Sequence, residues 1–328
     1  MNIEQIVTAF QQLKIAVVGD VMIDRYITGS IDRISPEAPV PVLNFMDEEN
    51  RLGGAANVAL NLKALGAEVH LCSVIGSDDA GKDFIGLLSD AGFHTDSIIS
   101  SNDRLTTIKT RVLASSQHLL RVDREQKHDI NDKDSSNLLE LIRTLIHERQ
   151  IDLILFQDYN KGVLTESLIK DLLKLADENQ VLTTVDPKKK NFWAFEKASL
   201  FKPNLSEIQA QIPFEIRPTI EDLNKADRYL RDRLSHGISL ITLSEHGAYV
   251  SDGVNSYICP TQARDIVDVC GAGDSVISIA SLVLPLTQDL EQIGLLANLA
   301  GGQVCEQVGV IPIQKDLLVN EFIKNYVN

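Results

Sequence analysis

The chain has 328 residues, of which 44% are hydrophobic and 23% are charged, a composition typical of a globular protein with a sizeable core. Its formal net charge of −15 argues against nucleic-acid binding, because a phosphate backbone would be repelled. No apolar run approaches the ~18 residues of a membrane-spanning helix, and the N-terminus lacks the layout of a signal peptide. We therefore expect a cytoplasmic protein without a membrane partner, whose four cysteines are reduced and mostly buried.

Strand-like and helix-like segments alternate along most of the chain. Apolar runs with strand character occupy residues 14–20, 68–76, 151–158, 181–186, 199–204 and 238–244. Helical patterns lie between them, near residues 54–66, 79–92, 134–149, 165–178 and 220–234. Alternation of this kind, with strands that are apolar on both faces, predicts an α/β fold with a parallel sheet covered by helices on both sides.

Two segments break this alternation. Residues 24–46 are rich in proline and strand-forming residues, and residues 105–123 have the pattern of a hairpin. Both are predicted to form strands outside the main sheet, and we interpret them as a small β-lid.

Several of the predicted strands end in a polar residue, namely Asp20, Asp158, Asp186 and Asn204. Open α/β sheets bind ligands at the carboxyl ends of their strands, so these residues are candidates for a binding site. Each could equally cap the helix that follows it.

The octapeptide "DVCGAGDS", residues 268–275, lies between a predicted short strand at 265–269 and a strongly apolar helix. Two glycines allow the backbone to approach a ligand closely, and a helix that begins there points its free N–H groups at an anion. Asp274 in the first helical turn suits proton removal from a hydroxyl that attacks phosphorus. The alternative is an acidic residue that only stabilises the helix dipole. Neither GxxxxGK[ST] nor GxGxxG is present, which argues against a P-loop enzyme and a dinucleotide site.

"DVCGAGDS" resembles the C-terminal signature of the PfkB/ribokinase family of small-molecule kinases, and "GGAANVALNLKALGA" at 53–67 resembles its N-terminal signature. The resemblance covers essentially the full length and implies a single ribokinase-like domain over residues 1–328, with lid segments near 24–46 and 105–123. It implies that Asp274 is the base that activates the acceptor hydroxyl. It further implies that Gly271, Ala272 and Gly273 offer backbone N–H groups to the transferring phosphate.

The same resemblance implies an ATP site with Mg²⁺. "NLSE" matches the NxxE motif of the family, in which Asn204, Leu205, Ser206 and Glu207 face the phosphates and Glu207 binds the metal, although by itself the motif is also a capping box. "TLSEHGAY" resembles the nucleotide-binding turn, with Ser244, Glu245 and Gly247 near ATP, and Asn298 lies on the helix beside adenine. Asp268 aligns with a residue near a monovalent-cation site of some relatives.

On the acceptor side, the resemblance assigns Asp24 to two sugar hydroxyls and brings Gly53, Gly54 and Asn57 close to the sugar. Gly53 and Gly54 are also compatible with an ordinary lead-in to a helix. Cations that could hold a sugar phosphate are Lys109, Arg111, Arg121, Lys161 and Lys188, each of which could instead be a solvated surface charge. Asp158 and Asp186 at the strand ends complete the predicted substrate site.

The segments "GDVMIDRY", "RISPEAPVPVL", "DYNKGVL", "DPKKKNF" and "KPNLSE" narrow the resemblance to kinases of D-glycero-β-D-manno-heptose 7-phosphate. These make the 1,7-bisphosphate on the path to ADP-heptose and lipopolysaccharide cores. Many relatives carry a fused nucleotidylyltransferase domain, of which this sequence has no HxGH-type motif, so we expect the kinase half alone. Departures from the pattern are Cys270, "VGVIPI" and "DPKKKN".

Three alternatives remain open from the sequence. One is a kinase of the same fold for another sugar or sugar phosphate, and another is a nucleotide-binding regulatory protein without catalysis. A dehydrogenase is disfavoured by the missing third glycine. Exposed edges of the lid strands predict a homodimer through the lid.

Overall fold

The computed structural model describes residues 2–114, 117–262, 264–307 and 309–327. Their strands, in chain order, are β1 Lys14–Gly19, β2 Val21–Ile34, β3 Pro41–Gly54, β4 Glu68–Gly76, β5 Ile98–Ser101, β6 Thr107–Ala114, β7 Gln117–Arg124, β8 Leu153–Gln157, β9 Leu182–Asp186, β10 Leu200–Phe201, β11 Ile238–Thr242, β12 Ala248–Ser251 and β13 Ser256–Cys259. Their helices are α1 Ile3–Ala9, α2 Ala55–Leu65, α3 Asp79–Asp90, α4 Asp132–His147, α5 Glu166–Glu178, α6 Leu205–Gln209, α7 Ile220–Leu234, α8 Ala272–Val283, α9 Leu290–Cys305 and α10 Lys315–Tyr326.

Nine strands form the main sheet, in the order β13-β12-β11-β10-β9-β8-β1-β4-β5. Among the described residues, all pairs of this sheet from β11 to β5 are parallel, and the edge strands β11, β12 and β13 pair in antiparallel fashion. The predicted α/β fold with a mainly parallel sheet is therefore confirmed.

Helices cover both faces of this sheet, which explains why central strands such as β1 and β8 are apolar at almost every position. In β1, Ile15 and Val17 join a core cluster with residues of α2, α8 and α9, whereas Ala16 and Val18 join a second cluster with residues of α4, α5 and α7. Successive side chains of a strand point to opposite faces, so one continuous apolar run serves two cores.

A second, small sheet has the order β3-β2-β6-β7. The two long strands β2 and β3 are antiparallel, and β6 pairs in parallel with β2 and antiparallel with β7. The hairpin predicted at 105–123 is confirmed by the antiparallel pairing of β6 with β7, and Ser115 and Ser116 between them lie outside the described residues. The strands predicted within 24–46 are also present, and both extend beyond those bounds.

The strand predicted at 265–269 is wrong. The backbone N–H groups of Val267 and Asp268 both donate to the carbonyl of Cys305 at the end of α9, so no neighbouring strand takes them. Ile266 and Val269 are 58% and 69% exposed, which shows that apolar composition alone misled the prediction. The strand predicted at 199–204 shrinks to the two residues of β10. The hairpin β12–β13 and the helix α10 were not predicted.

The carboxyl ends of β10, β9, β8 and β1 lie side by side along one edge of the main sheet. Lys202, Asp186, Gln157 and Asp20 stand at these four ends, beside the small sheet and the start of α8. This edge carries the candidate site. Within the described ranges, no helix has the length and apolar character needed to span a bilayer. Three of the four cysteines are buried, as predicted, and Cys270 is partly exposed.

Candidate active site

The turn before α8 begins with Gly271, which has φ +82° and is the N-cap of the helix. A side chain is disfavoured there by the positive φ, and a Cβ would lie 3.3 Å from Asn57 Nδ2. A Cβ on Gly273 would lie 3.5 Å from Lys202 Nζ. The turn therefore lies directly above a buried lysine, and the positive end of the helix and the Lys202 ammonium group favour an anion at the same place.

Asp274, the predicted base, is 7% exposed and lies in the first turn of α8. Asn57 Nδ2 donates to its Oδ2 at 2.6 Å, and the Tyr159 hydroxyl donates to its Oδ1 at 2.7 Å. Burial raises the pKa of Asp274 to about 6, although these hydrogen bonds act in the opposite direction. A carboxylate with such a pKa is ionised at neutral pH and accepts a proton more readily than an exposed aspartate.

Asn57 is one of the residues predicted to approach the sugar. Its side chain is 1% exposed, and its amide nitrogen is engaged by Asp274. Asn61, one turn later on α2, donates to the Asn57 carbonyl at 2.9 Å. The structure thus joins Asn57 to Asp274, the predicted base, and any contact that Asn57 makes with the acceptor remains a prediction.

Asp24, the residue predicted to bind sugar hydroxyls, lies on β2 next to Gly53 on β3. A Cβ on Gly53 would lie 2.2 Å from Asp24 Oδ2, so only glycine allows the two strands to place this carboxylate here. Gly54, with φ +63°, is the N-cap of α2, and the N–H of Ala55 beyond it donates to the Asp20 carbonyl. Gly53 therefore leaves room for the Asp24 carboxylate, and Gly54 supplies a backbone conformation that other residues rarely adopt, so both do more than precede a helix.

The five predicted phosphate cations differ in their partners. Arg111 Nη1 lies 2.5 Å from Asp24 Oδ1, Lys161 pairs with Glu125, and Arg121 pairs with Asp123 in the exposed strand β7. Lys188 pairs with Glu207 and, at 3.4 Å, with Asp186. These last contacts place Lys188 beside the NLSE motif.

Lys109 differs from the other four cations in its ion pairing. Within the described part of the chain it has no carboxylate at ion-pair distance, and its Nζ lies 5.7 Å from the centre of the Tyr159 ring. Burial, and after it the charge of Lys161, lowers the pKa of Lys109. A half-buried ammonium group that no described carboxylate contacts directly is a good candidate to receive an anionic group of a substrate.

The NLSE motif forms a complete capping box at the start of α6. Asn204 Oδ1 accepts from the N–H of Glu207, and Glu207 Oε2 accepts from the N–H of Asn204, both at 2.8 Å. The capping interpretation is therefore correct, and it leaves Glu207 Oε1 against the Lys188 ammonium group. Leu205 and the exposed Ser206 complete the first turn.

Asp186, at the end of β9, contacts residues at the ends of both neighbouring strands, β8 and β10. Its Oδ2 lies 2.9 Å from Lys202 Nζ and accepts from Gln157 Nε2 at 3.2 Å. Burial raises the pKa of this carboxyl group, but Lys188 and Lys202 outweigh burial and lower it. The predicted residue is thus an ionised partner of two lysines. Asp158 instead accepts from Asn160 and Asn191, and burial raises its pKa to about 7.

The predicted nucleotide turn follows β11. Ser244 has φ +54° and Gly247 has φ +92°, and a Cβ on Gly247 would lie 1.9 Å from the Cys259 carbonyl oxygen. Ser244 and Glu245 are exposed. Asn298 on α9 donates to the Pro260 carbonyl at 2.9 Å and so ties α9 to the same region. Asp268 accepts from the N–H groups of Cys270 and Gly309, both at 3.0 Å.

Three residues of this site, Gln157, Tyr159 and Lys202, were not named by the sequence analysis, whereas Asp20 was a candidate because it ends a predicted strand. Asp20 accepts the backbone N–H groups of Tyr159, Lys161 and Val163 and thereby holds the loop after β8. Gln157 and Lys202 also stand at strand ends, which is the one signal that could have found them.

Comparison with known proteins agrees with this geometry. The model of the "pfkB family carbohydrate kinase" matches residues 12–316, and the chain belongs to this family. The predicted class, a phosphotransferase with an alcohol group as acceptor, is thereby confirmed. Among curated relatives, the "Bifunctional protein HldE" of Helicobacter pylori strain J99 is 40% identical over 90% of this chain, and that of Campylobacter fetus is 38% identical over 90%. The chain spans 63% and 64% of the length of these two relatives.

Solved structures show the same fold. Phosphofructokinase-2 of Escherichia coli in complex with fructose-6-phosphate superposes with a TM-score of 0.76 at 17% identity, over 94% of this chain and 98% of that one. Ribokinase of Arabidopsis thaliana complexed with ribose and ATP superposes with a TM-score of 0.71 at 18% identity, over 94% and 98%. The predicted ribokinase-like fold is confirmed.

Proposed function

We propose that this chain transfers the γ-phosphoryl group of ATP to the anomeric hydroxyl of D-glycero-β-D-manno-heptose 7-phosphate, giving the 1,7-bisphosphate on the route to ADP-heptose. The observation that carries the kinase mechanism is the position of Asp274. It is a buried carboxylate with a raised pKa, held beside the glycine turn and the N-terminus of α8. The heptose specificity rests on the sequence resemblance and on the relatives named HldE.

In the proposed reaction, Asp274 takes the proton of the acceptor hydroxyl as the acceptor oxygen attacks phosphorus. The bond from phosphorus to the leaving ADP oxygen breaks in the same displacement. The N-terminus of α8 faces the developing negative charge of the phosphoryl oxygens. Lys202, buried under Gly273, adds a positive charge at a fixed position, which costs no reorganisation during the reaction.

Mg²⁺ would neutralise charge on the β- and γ-phosphates of ATP. The oxygen donors at this edge suit such a hard cation, and Glu207 presents a carboxylate to it. No cluster of three or more metal-ligating side chains occurs among the described residues. That agrees with a metal held mainly by phosphate and water, with Glu207 acting through water. Lys188, which now contacts Glu207, would remain close to the phosphates.

The acceptor side supports a phosphorylated sugar. Asp24 lies at the start of the small sheet with Arg111 against it, so this carboxylate is oriented to accept sugar hydroxyls. Lys109 on the adjacent strand β6 lacks a carboxylate partner within the described chain and would take the 7-phosphate. The small sheet would then close over the sugar as a lid.

Three further assignments belong to the same proposal. A monovalent cation would bind near Asp268, whose carboxylate already organises two backbone N–H groups, and a phosphofructokinase-2 relative has been solved in complex with potassium. The chain would act in the cytoplasm. It would form a homodimer through the small sheet, which exposes the apolar side chains Ile34, Phe45, Met46, Leu120 and Val122.

A mass-spectrometric screen of sugars and sugar phosphates with Mg-ATP tests the proposal. We expect a gain of one phosphate on heptose 7-phosphate above all other acceptors. Preferred phosphorylation of another sugar would reassign the substrate within the family. No phosphorylation of any acceptor, with ATP still bound, would favour the regulatory nucleotide-binding alternative.

A further inference from the structure

Tyr159 follows β8 and is not assigned a role by the motifs. Its hydroxyl donates to Asp274 Oδ1 at 2.7 Å, and Gln157 Nε2 reaches the same oxygen at 3.4 Å. Asp274 lies 115 positions further along the chain from Tyr159, so the contact exists only because β8 ends beside the start of α8.

The two oxygens of Asp274 differ in how many hydrogen bonds they accept. A carboxylate oxygen has about two acceptor positions. Oδ1 accepts from both Tyr159 and Gln157, whereas Oδ2 accepts from Asn57 alone among the described residues. The acceptor position that remains for a substrate hydroxyl therefore belongs to Oδ2.

The Tyr159 hydroxyl is placed by a rigid loop. The buried carboxylate of Asp20 accepts the N–H groups of Tyr159, Lys161 and Val163, at 2.9, 3.0 and 2.9 Å. Arg104, which lies between β5 and β6, donates from Nη2 to the Lys161 carbonyl of the same loop at 2.8 Å. Four hydrogen bonds to the backbone thus fix the segment that carries the phenol.

We propose that Tyr159 is a positioning residue, whose hydroxyl fixes the Asp274 carboxylate through Oδ1 so that Oδ2 receives the proton of the acceptor hydroxyl. This inference rests on the proposed function, in which Asp274 is the base. In the step, the acceptor O–H bond breaks and an Oδ2–H bond forms. The acceptor oxygen bonds to the γ-phosphorus, and ADP leaves with the electrons of the broken P–O bond.

Tyr159 itself does not exchange a proton. Burial, and after it the charge of Asp274, raises the pKa of Tyr159 well above its usual value of 10, so the phenol remains a donor throughout the assay range. The charged groups around Asp274 and Tyr159 come from several elements: Asp24 on β2, Lys109 on β6, Asp186 on β9, Lys188 after β9 and Lys202 after β10. The change Tyr159→Phe leaves all of these in place and removes a single donor.

The test is the pH profile of kcat for Tyr159→Phe with Mg-ATP and heptose 7-phosphate. We expect kcat near pH 6 to fall about tenfold to a hundredfold, because a hydrogen bond to a charged group is lost. The acidic limb of the profile should move to higher pH, and KM for both substrates should stay within about twofold. Tyr249→Phe is the matched control, since it removes a phenol whose hydroxyl donates to Asn224 at 2.8 Å away from the site.

A second comparison uses Asp274→Asn as background. If Tyr159 acts only through the base, adding Tyr159→Phe to this variant should not lower its residual rate further. An additional fall there, an unshifted acidic limb, or unchanged kcat in the single variant would overturn the inference. Asp274→Asn activity above about a tenth of wild type would instead refute the proposed base. If Tyr159→Phe does not fold, Gln157→Met, which removes the other donor to Oδ1, carries the same test of the acidic limb.

Discussion

Arg111 Nη1 lies 2.5 Å from Asp24 Oδ1, so the cation assigned to the sugar phosphate and the carboxylate assigned to the sugar hydroxyls are one ion pair. Both side chains are largely buried, and β2 and β6 bring them together by pairing in parallel. Arg111 therefore orients Asp24, and in the proposed site Lys109, two residues earlier on β6, is the cation left for the phosphate.

Because Arg111 pairs with Asp24 and Lys109 does not, substitution of the two cations should have different effects. Lys109→Ala should lower kcat/KM for heptose 7-phosphate about tenfold to a hundredfold, since one charge-assisted hydrogen bond is lost, and leave unphosphorylated heptose almost unaffected. Arg111→Ala should weaken both sugars alike, because Asp24 loses its orientation. Steady-state kinetics with the two acceptors measures this. Lys225→Ala is the matched control, because Lys225 is a lysine of α7 whose ammonium group also lies over an aromatic ring, that of Phe214. Equal losses on both acceptors in Lys109→Ala would contradict the assignment.

The pKa of Asp274 predicts the pH dependence of the wild-type enzyme. Burial raises this pKa to about 6, and in the proposed role as base Asp274 must be ionised to accept a proton. The rate should therefore rise as the pH increases through about 6 and level off above it. Measurement of kcat at saturating Mg-ATP between about pH 5 and pH 8 tests this, and a flat profile across that range would contradict it.

Glu207→Gln separates the metal role of the NLSE motif from its capping role. Glutamine at this position still completes a capping box, so the fold should be retained. We expect the Mg²⁺ concentration for half-maximal activity to rise roughly tenfold, as for the loss of an outer-shell metal contact. Gln5→Glu, the reverse exchange in the capping box of α1, is the control. An unchanged Mg²⁺ midpoint in Glu207→Gln would leave the motif with capping alone.

The proposed dimer predicts that a charge on the small sheet separates the protomers. Phe45 on the edge strand β3 is 65% exposed, and burying an unpaired carboxylate at an interface is unfavourable. Phe45→Asp should give a monomer in sedimentation experiments, whereas Val254→Asp, in a turn where the side chain is 90% exposed, should not change the mass. A wild-type protein that sediments as a monomer at all concentrations would contradict the dimer.

Much of the fold could be predicted because its signals are local. Five helices and most parallel strands follow from apolar periodicity, and β4 agrees with its predicted bounds at both ends. The strand at 265–269 failed because composition does not show whether a neighbouring strand is available. Residues of the candidate site could be named where a motif carries them, as for Asp274, or where they end a predicted strand, as for Asp186. Its contacts with Asn57, 217 positions away, and with Tyr159 arise from strand order, which no local pattern encodes.

The central claim is that a sugar already bearing a phosphate is phosphorylated at its anomeric hydroxyl. The most direct measurement is the ratio of kcat/KM for heptose 7-phosphate to that for heptose, with the product position read by ³¹P NMR. One or two charge-assisted hydrogen bonds to the 7-phosphate, of about 1.5–3 kcal/mol each, predict a ratio of roughly 10–10⁴ and a 1,7-bisphosphate product. Equal kcat/KM for the two sugars, or a phosphate added at another hydroxyl, would contradict the account.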